Sequence, residues 1–137
     1  MSDLLLDTNV VSEAFRPQPH PGVLQRLATP GGRLFLPALA WHELRFGASR
    51  LAPSSRRDAL EAFLGLIRET LPILPYDEAA AAHHARERSR LEQAGRTPPF
   101  VDGAIAAIAV TRGLTLVTRN VSDFQGFLEL RVEDWFG

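Results

Sequence analysis

Three carboxylates in this sequence stand where a carboxylate needs a reason. Asp7 directly follows Leu4-Leu5-Leu6, a run apolar enough to form a fully buried strand. An aspartate at a strand-to-helix junction either caps the next helix or stands outside the strand's carboxyl end, where open parallel sheets bind ligands. Glu43 falls in a helical stretch where its neighbours at helical spacing are Leu39, Ala40, Phe46 and Gly47, while His42, Arg45 and Ser49 make the polar side. It is therefore expected to point toward the protein. Asp102 lies in the first turn of Phe100 to Arg112, a segment apolar nearly all round and so expected to be central and buried. The helix dipole stabilises such a carboxylate by up to about 1 kcal/mol. Burying it unpaired costs several kcal/mol, so Asp102 needs a partner. A fourth polar cluster, Thr118, Arg119, Asn120, Ser122 and Asp123, follows a later apolar run and reads, taken alone, as a turn.

Brought to one end of a sheet, these groups would form an acidic nest. Two carboxylates about 5 Å apart repel by ~3 kcal/mol at an effective dielectric of 20. Several together take up protons unless a cation sits among them. All fifteen basic residues are arginines and the chain has no lysine, so that cation is an arginine or a bound metal. Oxygen-only ligands suit Mg²⁺ or Mn²⁺, and such ions bind phosphates and activate water. The reaction class that follows is phosphodiester hydrolysis.

Positioning these residues requires strands alternating with helices, and the sequence supplies them. Strands are expected at Leu4 to Leu6, Leu34 to Leu36, Leu71 to Leu74, Thr115 to Val117 and Leu130 to Val132. Helices are expected at Asn9 to Phe15, Gly22 to Ala28, Leu39 to Ser49, from Pro53-Ser54-Ser55 to Glu69, from the cap Asp77 to Gly95, and over Phe100 to Arg112. Ser55 and Asp58 stand at capping-box spacing. This alternation predicts an α/β fold, a parallel sheet with helices on both faces. The length of 137 residues suits one domain, 1–137.

Composition removes other classes. With no cysteine there are no disulfides, thiolate nucleophiles or cysteine-held metals, and a reducing, cytoplasmic setting is the default expectation. No run of eighteen apolar residues or leader pattern points to a membrane. The net charge of −1 argues neither for nor against nucleic acid. Without lysine, aspartyl phosphotransfer of the kind that relies on a lysine beside the phosphate is excluded, and phosphate contacts fall to arginine, backbone N–H groups or metal.

The motifs themselves resemble a known family. Leu4-Leu5-Leu6-Asp7-Thr8-Asn9-Val10, with Arg16-Pro17-Gln18-Pro19 after it, is similar to the opening of PIN-domain ribonuclease toxins of the VapC family, in particular its FitB-like subgroup. Glu43-Leu44-Arg45-Phe46-Gly47, Asp102-Gly103-Ala104-Ile105-Ala106-Ala107 and Thr118-Arg119-Asn120-Val121-Ser122-Asp123-Phe124 resemble the second, third and fourth motifs, in family order and spacing. The resemblance implies a PIN-like three-layer fold around a five-stranded parallel sheet. It implies a site built on Asp7, Glu43, Asp102 and the fourth motif, with Mg²⁺ or Mn²⁺ as cofactor. It implies an RNA substrate, a cognate VapB-like antitoxin and a homodimer. Asn120 stands where many members have aspartate, so the fourth metal ligand is either Asp123, with Asn120 assisting, or Asn120 itself. A non-catalytic binding module on the same scaffold is the alternative function.

The remaining polar and aromatic residues have plainer readings. His20, His42, His83 and His84 form no zinc set and read as surface or packing residues. Arg86, Arg88, Arg90 and Arg96 read as a solvated face or an RNA-facing patch. Trp41, Phe46 and Phe100 read as core, although any exposed ring is able to stack a splayed base. Leu60, Phe63, Leu64 and Ile67 form one stripe, which is either core or an oligomer surface.

Overall fold

A computed structural model describes residues 3–137. The elements, in chain order, are β1 (Leu4–Leu6), α1 (Thr8–Glu13), α2 (Pro21–Ala28), β2 (Leu34–Pro37), α3 (Ala38–Ser49), α4 (Ser55–Thr70), β3 (Ile73–Leu74), α5 (Glu78–Gln93), α6 (Phe100–Thr111), β4 (Thr115–Val117), a 3-10 turn (Val121–Phe124) and β5 (Val132–Glu133). The five strands are all parallel, in the order β3-β2-β1-β4-β5. Leu4 pairs with Leu34 on one side and with Thr115 on the other, which fixes β1 as the central strand.

The three Leu residues of β1 show why the sheet needs cover on both faces. Successive side chains alternate. Leu4 and Leu6 join a core with Val10, Val11, Val23, Ala40, Leu44 and Leu64, drawn from α1 to α4. Leu5 joins the other core with Ala80, Leu91 and Ile105 to Ala109, drawn from α5 and α6. The result is the expected three-layer arrangement. Residues 103–109 of α6 are all buried, which accounts for the absence of a polar stripe on that helix.

Chain order creates the crevice. From β1 the chain winds outward through β2 and β3, then crosses back to place β4 on the other side of β1. The connections leaving β1 and β4 run to opposite sides of the sheet, and the gap between them is the switch point where open α/β sheets bind ligands.

Some local expectations shift. Ser54, not Ser55, caps α4, its side chain accepting from Arg57 N at 3.1 Å. Helix α1 stops at Glu13 rather than Phe15. Glu13 is buried there and accepts from His20 N at 2.9 Å and from Arg16, so it ties down the proline-rich loop. The Leu60, Phe63, Leu64 and Ile67 stripe is core: Leu64 is fully buried and the other three pack partly buried against it. Among the described residues no helix is long and apolar enough to cross a membrane.

Candidate active site at the switch point

Asp7 is buried at the carboxyl end of β1. The two readings open for it from sequence do not compete, because each uses a different oxygen. Oδ1 accepts from Thr8 N at 2.8 Å and caps α1. Oδ2 accepts the hydroxyl of Thr118 at 2.8 Å and, more distantly, Asn9 Nδ2 at 3.4 Å. Thr118, at the carboxyl end of β4, has no exposed surface. Its Oγ1 also accepts from Asn120 N at 3.1 Å and Asn9 Nδ2 at 3.4 Å, while Asn9 Oδ1 accepts from Arg119 N at 3.0 Å. The start of α1 and the exit of β4 are stitched together, which fixes the direction of the Asp7 carboxylate. Asn9 and the role of Thr118 were not singled out from sequence. Their only signal was membership in the first and fourth motifs.

Asp102 is half-buried in the first turn of α6. Burial pushes its carboxyl above the usual carboxylate range, and the negative charges of Asp123 and Asp7 push it further in the same direction. The three aspartates therefore share one electrostatic neighbourhood although they come from three elements. Asp123 is exposed in the 3-10 turn, its N–H donating to Asn120 O at 3.0 Å. The Asn120 side chain is exposed and makes no capping bond to that turn.

Glu43 departs from expectation. Its side chain is 51% exposed, with the imidazole Nδ1 of His42 3.9 Å from its carboxylate. Helix α3 buries the stripe Ala40, Leu44 and Ala48, so Glu43 stands beside the buried face and not on it. It opens on a cleft shared with Thr8, Ser12, Gly47, Arg50 and Arg56, and Thr8 adjoins Asp7. Among the described residues no three His, Cys, Asp or Glu side chains converge as a ligand set for a metal ion. The nest is thus an electrostatic cluster of Asp7, Asp102 and Asp123, and Glu43 is not among the charges acting on Asp102. Among the described residues no arginine pairs with Asp7, Asp102 or Asp123. Like charges gathered without an internal cation, offering oxygen donors alone, fit a hard divalent ion.

The histidines divide. His20 caps α2, accepting from Val23 N at 3.3 Å, and His84 is buried between α5 and α6 with Nδ1 2.7 Å from the Tyr76 hydroxyl. Within the arginine group, Arg90 is a clasp: it pairs with Glu87 and donates to Gly126 O at 2.8 Å. Trp41 packs partly buried on the core, whereas Phe46 and Phe100 are exposed.

Residues 4–125 match the family described as PIN domain. Among curated relatives, the chain is 37% identical over 127 residues to Toxin FitB of Neisseria gonorrhoeae, covering 88% of this chain and 90% of that one. It is 33% identical over 136 residues to the tRNA(fMet)-specific endonuclease VapC of Shigella flexneri, covering 98% and 99%. Its structure superimposes on the crystal structure of FitAcB from Neisseria gonorrhoeae with a TM-score of 0.87 and 34% identity, covering 97% and 98%.

Proposed function

The chain belongs to the PIN-domain family, and from that premise we propose that it is the toxin of a type II toxin–antitoxin pair, a metal-dependent endoribonuclease that hydrolyses RNA phosphodiesters. The observation that carries the reading is the grouping of Asp7, Asp102 and Asp123 at the switch point, with charges acting on one another and no arginine among them. Relatives sharing about a third of this sequence are named as a toxin and as an RNA endonuclease. The whole chain works as one unit in this reading.

Asp7, Asp102, Glu43 and Asp123 hold the cation, which we take to be Mg²⁺ or Mn²⁺. When bound, it supplies the positive charge that offsets the scissile phosphate and activates water. The protein's own part is orientation. Thr118 fixes one oxygen of Asp7, and the cap fixes the other. The Asn120 backbone N–H is tied to Thr118 Oγ1, and its exposed side-chain amide assists by orienting water or phosphate through hydrogen bonding. Glu43, exposed on α3, completes the set from the cleft side. A cognate VapB-like antitoxin covers this acidic opening, because clustered carboxylates without an internal cation attract an external guanidinium. In this reading the chain works as a homodimer.

The test is cleavage of total and defined RNA by the pure protein with Mg²⁺ or Mn²⁺, mapping the ends produced. Asp7→Asn keeps shape but removes charge from a hard-cation site, so it should abolish cleavage with the fold intact. Cleavage unchanged by Asp7→Asn overturns the site. RNA binding by the wild-type chain without cleavage at any divalent ion overturns the activity and leaves a binding module.

A further inference from the structure

On the α5 side of α6 lies a cleft of about 270 Å³ that the site above does not use. Its lining includes Tyr76, His84, Arg88, Ser89, Glu92 and Phe100. Phe100 is 52% exposed, unusual for so large a ring at the start of a buried helix. It is not loose. The His84 ring meets it edge-on at 4.6 Å, and Tyr76 lies at 6.2 Å on the same side. His84 is itself 3% exposed and bonded to the Tyr76 hydroxyl. The brace thus holds one side of the Phe100 ring and the Arg88 guanidinium lies over it, 5.6 Å from the ring centre, which leaves the remaining ring surface open.

We propose that this cleft takes one unpaired base of the RNA substrate, stacked on Phe100 beside the Arg88 guanidinium, one or two nucleotides from the phosphate that is cut. The inference rests on the endoribonuclease reading and names a subsite for it. Phe100 and Asp102 share the first turn of α6, separated by about 3 Å of rise but about 200° around the axis, so their side chains leave opposite sides of the helix end. A strand with one phosphate at Asp102 therefore passes the end of α6 and reaches Phe100 with a neighbouring base. The chemistry matches a base better than a protein side chain. A rigid π face is what stacking needs, Arg88 adds cation–π attraction and a phosphate contact, and the Ser89 hydroxyl and Glu92 carboxylate offer groups for a base edge. The volume suits a single base, being below the usual range for small-molecule pockets. Burial, with Arg88 and His83 nearby, pushes the His84 imidazole below its ordinary pKa, so the brace is neutral and does not repel Arg88.

The experiment measures anisotropy of a fluorescein-labelled, mixed-sequence oligoribonucleotide without divalent ions, and cleavage of the same RNA with Mg²⁺. Phe100→Leu keeps apolar bulk but removes the π face; it should weaken binding about tenfold and raise KM with kcat nearly unchanged. Phe100→Trp should restore both, and Arg88→Gln should weaken binding with a reduced salt dependence. An abasic substitution at the stacked position should cost the wild type the same factor and cost Phe100→Leu nothing more. Melting curves check that each variant is folded. Unchanged RNA affinity in Phe100→Leu, or equal abasic losses in both proteins, overturns the proposal. So does a loss of antitoxin affinity with RNA affinity intact, which would make the cleft a protein-docking surface. The binding arm needs no catalysis, so a failure of cleavage in the wild type sinks the nuclease reading separately.

Discussion

Gly103→Ala probes the contact that joins the candidate site to the α5–α6 layer. Gly103 follows Asp102 and faces His84 so closely that an added Cβ would lie 2.7 Å from the imidazole Cδ2 and closer still to Nε2. The imidazole has little room to retreat, because His84 is 3% exposed, bonded to Tyr76 at 2.7 Å and packed on Phe100. Helix propensity alone favours alanine by about 1 kcal/mol. Against it stand overpacking, about 1–3 kcal/mol, and loss or distortion of the Tyr76–His84 bond, about 1 kcal/mol. The balance is a net destabilisation of about 1–3 kcal/mol, a fall in Tm on the order of 3–10 °C for a chain of this length. Urea and thermal melts followed by circular dichroism measure it. The same displacement moves Asp102, and a misplacement of about 1 Å costs on the order of a hundredfold in rate, so RNA cleavage should fall more than stability does. In a His84→Ala background the clash is absent and Gly103→Ala should turn neutral or stabilising. A single Gly103→Ala variant that melts at or above the wild-type temperature refutes this account of the packing.

Three further outcomes follow from the site. Asp102→Asn should abolish cleavage yet stabilise the metal-free protein at neutral pH. The folded-state pKa of Asp102 is raised, so its contribution is most favourable in acid and is lost as pH rises from about the unfolded value of 3.8; equal melting of variant and wild type at pH 7 in EDTA contradicts this. Thr118→Val removes the bond that holds Asp7 Oδ2 and leaves Asn120 N without its acceptor. It should cost about 1–3 kcal/mol of stability and slow cleavage at saturating Mg²⁺, whereas wild-type kinetics would mean that Asp7 needs no orienting partner. Comparing Asp123→Asn with Asn120→Ala at saturating Mg²⁺ assigns the fourth position: cleavage should be lost in the first and reduced in the second, and the reverse order would give that position to Asn120.

The local chemistry of this chain was legible from residues alone. The Leu4–Leu6 run, the polar residue that follows it and the apolar Phe100 to Arg112 segment identified a central strand, its carboxyl-end aspartate and a buried helix, because strand and helix periodicity are short-range properties. The need of Asp102 for a cationic partner followed from the cost of burying charge, whatever the fold. What tertiary structure decided was which faces meet. Glu43 looked inward by helical spacing, but α3 packs through Ala40, Leu44 and Ala48, and that choice of stripe leaves the glutamate in solvent. Asp7 and Thr118 bond across 111 positions of sequence only because β4 pairs with β1 rather than with β3. Phe100 is exposed where core was the default reading, and His84 takes the packing one of its two readings, because α5 and α6 approach closely at Gly103, a residue without the Cβ that would hold them apart. Periodicity specifies how a segment folds on itself, whereas pairing order and helix contacts depend on distant residues.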